Sequence, residues 1–178
     1  MAVTSEQMTT WLKTLLAGRS AAPELELVDY LSTVPRLDTL ADVPSGTPVA
    51  IRGDVDAKPG AKVGEGDIRL QSMVDTLKYG SERGWKQIIF GHIGRKPEGS
   101  LNKVAARLGE LLGQDVTLIT DWIDESNDMI LDSVAKQIAD AKPGAVIMLE
   151  NTRKYKIETV LWKAKEADLP KLAESLSK

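Results

Sequence analysis

Apolar runs that end in charged residues recur three times in this sequence, and the residue types at those ends suit an anion. The only histidine, His92, stands in Ile88-Ile89-Phe90-Gly91-His92-Ile93-Gly94-Arg95-Lys96-Pro97, so a titratable ring and a guanidinium leave one apolar run together. A second run ends in Arg52-Gly53-Asp54-Val55-Asp56-Ala57-Lys58-Pro59-Gly60. Its alternating carboxylates fall on one side of an extended segment, and Gly53 allows a backbone to approach a ligand closely. The third is Leu149-Glu150-Asn151-Thr152-Arg153-Lys154. Arginine's planar fork matches phosphate and carboxylate oxygens, so Arg52, Arg95 and Arg153 brought together would suit a small dianion or trianion. Taken singly, each segment reads equally as a solvated loop, and the aspartates as a turn in which Asp bonds its own backbone. Convergence separates the two readings.

Convergence requires the runs to be strands of one parallel sheet, because ligands of such sheets bind beyond the carboxyl ends of the strands. Val49-Ala50-Ile51, Gln87-Ile88-Ile89-Phe90, Val116-Thr117-Leu118-Ile119 and Ala145-Val146-Ile147-Met148-Leu149 have the length and aliphatic content of buried strands. Helical patterns fill the intervals at about 68–82, 100–112 and 125–139, giving the order β-α-β-α-β-α-β. This predicts an α/β fold: a parallel sheet flanked by helices on both faces, a Rossmann-like three-layer sandwich. Gly84 and Gly113 stop the first two helices, and Lys142-Pro143-Gly144 turns into the last strand. Arg69 falls early in the first helix, where a cation is disfavoured unless an anion compensates.

Ahead of the sheet, Met8, Trp11, Leu12, Leu15 and Leu16 recur at helical spacing between Ser5 and Gly18, predicting an amphipathic helix over 5–17. Residues 1–34 therefore read as an N-terminal helical extension, and 35–178 as the main domain. Leu169, Leu172, Ala173 and Leu176 form an apolar helical stripe reaching the last residues, which predicts a truncated helix and suits self-association through exposed helices.

Composition narrows the partners. At 178 residues, with 42% apolar and 28% charged residues, the chain has the makings of one soluble globular unit. A net charge of −3 lacks the basic footprint of nucleic-acid binding, so no nucleic acid is expected. The absence of cysteine fits a reducing compartment, and no apolar run reaches membrane-spanning length. The expectation is a cytoplasmic protein without a membrane association. Gly64-Glu65-Gly66 lacks the Gly-Lys-Ser/Thr of a phosphate loop, and one histidine without a second ligand at metal spacing predicts no metal. Trp85, Trp122 and Trp162 lack the basic interleaving of a base-stacking surface and read as packing residues.

From about Asp42 to Glu158 the chain resembles the N-terminal domain of phosphoglycerate kinases. That family carries Arg-Val-Asp-Phe-Asn, an Arg-bearing helix, Ser-His-Leu-Gly-Arg-Pro and Leu-Glu-Asn-Leu-Arg-Phe in this order. Arg52-Gly53-Asp54-Val55-Asp56, Gly91-His92-Ile93-Gly94-Arg95 and Leu149-Glu150-Asn151-Thr152-Arg153 stand at the three motifs, and 100–113 resembles the family's helix after the histidine loop. The resemblance implies a 3-phosphoglycerate site made by Arg52, Asp54, Val55, Asp56, Arg69, His92, Ile93, Gly94, Arg95 and Arg153. It implies that Arg69 is the catalytic arginine, stabilising the phosphoryl group in flight between ATP and the substrate carboxylate. ATP or ADP with magnesium belongs to the complete enzyme, on a nucleotide-binding domain that this chain lacks, so no cofactor-binding residue is expected here.

Departures from the pattern are specific. Asp56 replaces an asparagine, adding a negative charge where an anionic substrate should lie, which predicts weaker binding or a different ligand. Gly91, Thr152 and Lys154 replace serine, leucine and phenylalanine, and residues 1–34 have no counterpart in the common pattern. Two functions follow: the phosphoglycerate-binding half of a phosphoglycerate kinase-like enzyme, inactive alone, or a non-catalytic anion-binding or interaction module built on that fold.

Overall fold

In the computed structural model, residues 37–59 and 67–159 are described, together with Thr10 and Val28. The elements are β1 (Pro48–Arg52), α1 (Ile68–Glu82), β2 (Lys86–Phe90), α2 (Asn102–Leu112), β3 (Val116–Ile119), β4 (Ile123–Asp124), β5 (Met129–Ile130), α3 (Asp132–Asp140), β6 (Val146–Leu149) and α4 (Lys156–Thr159). The four expected runs form one sheet, in the order β1-β2-β6-β3, and every pair is parallel. Arg52 lies opposite Phe90, and Val146 lies between Gln87 and Val116, so the strands end in step at one edge.

Side-chain alternation makes the sheet two-sided. Ile89, Val146 and Met148 pack in one cluster with Leu70, Leu77, Val104 and Leu108, and the intervening Ile88, Ile147 and Leu149 pack in another with Trp122, Val134 and Tyr155. The path of the chain accounts for the division. From β1 to β2 and on to β3 it advances across the sheet, placing α1 and α2 on one face; from β3 back to β6 it reverses, placing α3 on the other. The predicted three-layer sandwich is the one observed, with Trp85 and Trp122 in the core as expected.

One helix is shorter than its pattern. The expected helix at 125–139 begins only at Asp132, because the preceding residues form an antiparallel ribbon in which Ile123 pairs with Ile130. Asp124 explains the switch: its carboxylate accepts the Ser126 amide (2.9 Å) and hydroxyl (2.6 Å), while the Asn127 side chain accepts the Met129 amide at 2.9 Å. These side-chain bonds supply the backbone with turn partners in place of helical ones, and Asp128 completes the turn at φ 57°. Gly84 and Gly113 take the left-handed conformation just beyond α1 and α2, as expected.

The chain divides into two compact units, Met1–Asp42 and Val43–Lys178. In the first, Leu37–Leu40 form a 3-10 turn followed by an Ala41 amide bond to the Asp38 carbonyl. Apart from helical Thr10, the helix expected over 5–17 lies outside the described residues, as do Gly64-Glu65-Gly66, Trp162 and the stripe at 169–176.

Candidate functional site

The carboxyl edge of the sheet carries a cleft of about 320 Å³ lined by Arg52, Gly53, Asp54, Val55, Asp56, Arg69 and His92. Beyond β1 burial alternates, with Val55 and Ala57 in the core and Asp54 and Asp56 both in the cleft lining, as their spacing predicts, although an Ala57 amide bond to the Val55 carbonyl at 2.7 Å tightens the backbone at Asp56. Gly53 lines the cleft and also meets a packing demand that its place in the sequence did not reveal. It is buried, and a Cβ there would come within 2.7 Å of Ile89 Cγ2, so packing against β2 requires a glycine.

Arg69 reaches the cleft from the second residue of α1 and donates to Asp54 Oδ1 at 2.9 Å, which supplies the anion that a cation at this helix end calls for. Both side chains are about half exposed, 51% and 52%, so solvent screens the pair and an anionic ligand can displace it at small cost. His92, two residues beyond β2, accepts from Arg52 Nη2 through Nδ1 at 3.3 Å, since a guanidinium can only donate. Strand pairing sets this contact, because Arg52 ends β1 opposite the last residue of β2.

Not every expected residue lines the cleft. Arg95 is exposed on the loop after His92, and Ile93 and Gly94 lie on that loop outside the lining. Arg153, also outside it, donates through Nη1 to the Gly94 carbonyl, and the Gly94 amide donates to Asp56 Oδ1 at 2.9 Å. The three motifs are thus linked in the order Asp56, Gly94, Arg153. Lys154 points to other partners: its ammonium bonds Asp121 at 2.8 Å and the Thr120 carbonyl at 3.1 Å, and the Asp121 carboxylate raises its pKa.

Polar residues that charge patterns do not reveal hold these elements. Arg107 of α2 binds Asp67 Oδ2 through Nε (3.0 Å) and Nη2 (2.7 Å), pinning the residue just before α1. These two bonds to one oxygen keep the Asp67 carboxyl below its ordinary range, and together with the Glu110 carboxylate they raise the Arg107 guanidinium. Buried Glu150 accepts from Ser100 Oγ (2.9 Å) and the Leu101 amide (2.7 Å), fixing the entry to α2. In the sequence these residues carry only a weak sign, a polar pair directly after the most apolar strand.

Fold and site define a parallel α/β domain with a cation-bearing cleft at the carboxyl edge of its sheet. The family model described as phosphoglycerate kinase matches residues 40–178. The chain is 35% identical over 142 residues to the phosphoglycerate kinase of Clostridium perfringens, covering 76% of this chain and 34% of that protein. With that of Thermosipho africanus it is 43% identical over 98 residues, 52% of this chain and 23% of that one. The crystal structure of phosphoglycerate kinase from Pyrococcus horikoshii OT3 superposes with a TM-score of 0.52 at 26% identity, covering 72% of this chain and 32% of that chain. This chain belongs to the phosphoglycerate kinase family. It spans about a third of the length of the Clostridium perfringens relative.

Proposed function

We propose that this chain is the phosphoglycerate-binding half of a phosphoglycerate kinase-like phosphotransferase of glycolysis, working in the cytoplasm, and that it does not turn over alone. The observation that carries the reading is one cleft lined by Arg52, Arg69 and His92, each delivered by a different family motif. Arg52 and the His92 ring hold the anionic groups of 3-phosphoglycerate, with Arg95 and Arg153 adding positive potential from the adjoining loops. Arg69 exchanges Asp54 for the reacting carboxylate and steadies the charge that builds there. Phosphoryl transfer asks a protein mainly for positioning and charge stabilisation, and these residues supply both without a nucleophile. In the complete enzyme magnesium-bound ATP on the nucleotide-binding domain would supply the phosphoryl group.

Calorimetric titration of 3-phosphoglycerate into the wild-type chain and Arg52→Ala tests the assignment. Saturable binding is expected, weakened about 10- to 100-fold by the substitution, the loss of one charge-assisted hydrogen bond. No saturable binding, or equal affinity in Arg52→Ala, would overturn it. Asp56 favours a second reading, a non-catalytic module, because its carboxylate stands in the lining beside the cations. Stable homo-oligomers in light scattering, with no response to phosphoglycerate, would support that alternative.

A further inference from the structure

Between β2 and α2 the chain runs from Gly91 to Leu101 without regular secondary structure, yet this segment carries His92 and Arg95. Irregular backbone must find hydrogen-bond partners, and here one side chain supplies several of them. Asn151, fully buried at 0% exposure, accepts through Oδ1 from the Ile93 amide at 3.2 Å and the Arg153 amide at 3.2 Å. Its Nδ2 donates to the Gly99 carbonyl at 2.9 Å, with the Ile93 and Lys96 carbonyls at 3.4 and 3.5 Å. Gly99 permits this closure, since a Cβ there would lie 2.9 Å from the Ile93 carbonyl oxygen.

We propose that Asn151 is a positioning residue for the anion cleft, setting the His92 loop against the Arg153 turn and thereby the cleft's affinity for its ligand. The affinity part rests on the phosphoglycerate reading above. Its bonds reach the residue following His92 and the backbone of Arg153 itself, and Arg153 in turn holds Gly94, whose amide meets Asp56. A single carboxamide therefore joins the exits of β2 and β6 and, through Gly94, the chain leaving β1. The chemistry demands an amide. Aspartate keeps the volume and both acceptor bonds, but sets an oxygen against the Gly99 carbonyl; alanine removes every bond.

Because His92 is the only histidine, its imidazole proton signals report loop geometry without ambiguity. Asn151→Ala and the near-isosteric Asn151→Asp are compared with wild type by NMR without ligand. Titration with 3-phosphoglycerate follows, in wild type and in a His92→Ala background. Expected are a displaced or broadened His92 signal in the ligand-free variants, and a loss of affinity of about tenfold that shrinks when His92 is absent, the mark of coupled residues. An unmoved His92 signal, or the same affinity loss with and without His92, would overturn the proposal. Should Asn151→Ala not fold, Asn151→Asp decides by the same criteria. If wild type does not bind 3-phosphoglycerate, the functional reading fails separately, and the ligand-free His92 signal alone decides whether Asn151 positions the loop.

Discussion

Asp56 is the residue at which this chain most sharply tests the electrostatics of its cleft. One carboxylate oxygen accepts the Gly94 amide at 2.9 Å, a bond an amide oxygen can also make, so Asp56→Asn removes a charge without removing the contact. A unit charge a few ångströms from a multivalent anion, at the effective dielectric of a surface cleft, is worth about 1–2 kcal/mol. Asp56→Asn should therefore bind 3-phosphoglycerate about tenfold more tightly than wild type in calorimetric titration. Unchanged affinity would mean that the anion does not lie near this side chain. The outward aspartates and the cations were legible from alternation and from their place after apolar runs. The packing constraint on Gly53 was not, because the Ile89 methyl that imposes it belongs to a strand 36 residues further along the chain.

At the scale of elements, α1 presents Arg69, and what fixes the start of α1 is the Asp67–Arg107 pair. The Asp67 carboxyl is held below its ordinary value of 3.8 by its hydrogen bonds to Arg107. A carboxyl whose folded pKa is depressed contributes stability that is present above the unfolded value and is lost as pH falls through the folded one. Arg107→Ala should accordingly lower the urea midpoint at neutral pH, and the gap from wild type should close as the pH drops below 3.8 and on through the lowered value. A gap that stays constant into acid would show that Arg107 acts by packing alone. Periodicity located the helices that carry their own apolar stripes, as α2 does with Val104, Ala105 and Leu108. It misread 125–131, where Ile130 and Leu131 fit a helical stripe while Asp124 and Asn127 bond the backbone into a turn. Such competition between side chain and backbone is local and polar, and a hydrophobic pattern does not register it.

For the whole molecule, parallel pairing brings all four carboxyl ends to one edge, and the two apolar clusters hold the sheet from both sides. That arrangement was legible in the sequence because each buried strand is a short aliphatic run, and a parallel sheet demands a helix between strands. Topology brings the three motifs to that edge, but of the expected Arg52, Arg95 and Arg153 only Arg52 lines the cleft, joined there by Arg69 and His92. What the edge supplies is a cleft lined by Arg52, Arg69 and His92; on the proposed reading these cations hold one reactant, while transfer also requires the phosphoryl donor to be held in line with the acceptor carboxylate. Polypeptide 1–178, incubated with magnesium-ATP and 3-phosphoglycerate, is therefore expected to give no acyl phosphate above the uncatalysed rate in a coupled assay. Adding a separately expressed nucleotide-binding domain from a family relative should restore measurable turnover, and Arg69→Ala should abolish it while 3-phosphoglycerate still binds. Turnover by the chain alone would refute the proposed division of labour with a nucleotide-binding domain. Restored turnover that survives Arg69→Ala would leave that division intact and remove Arg69 from the chemistry.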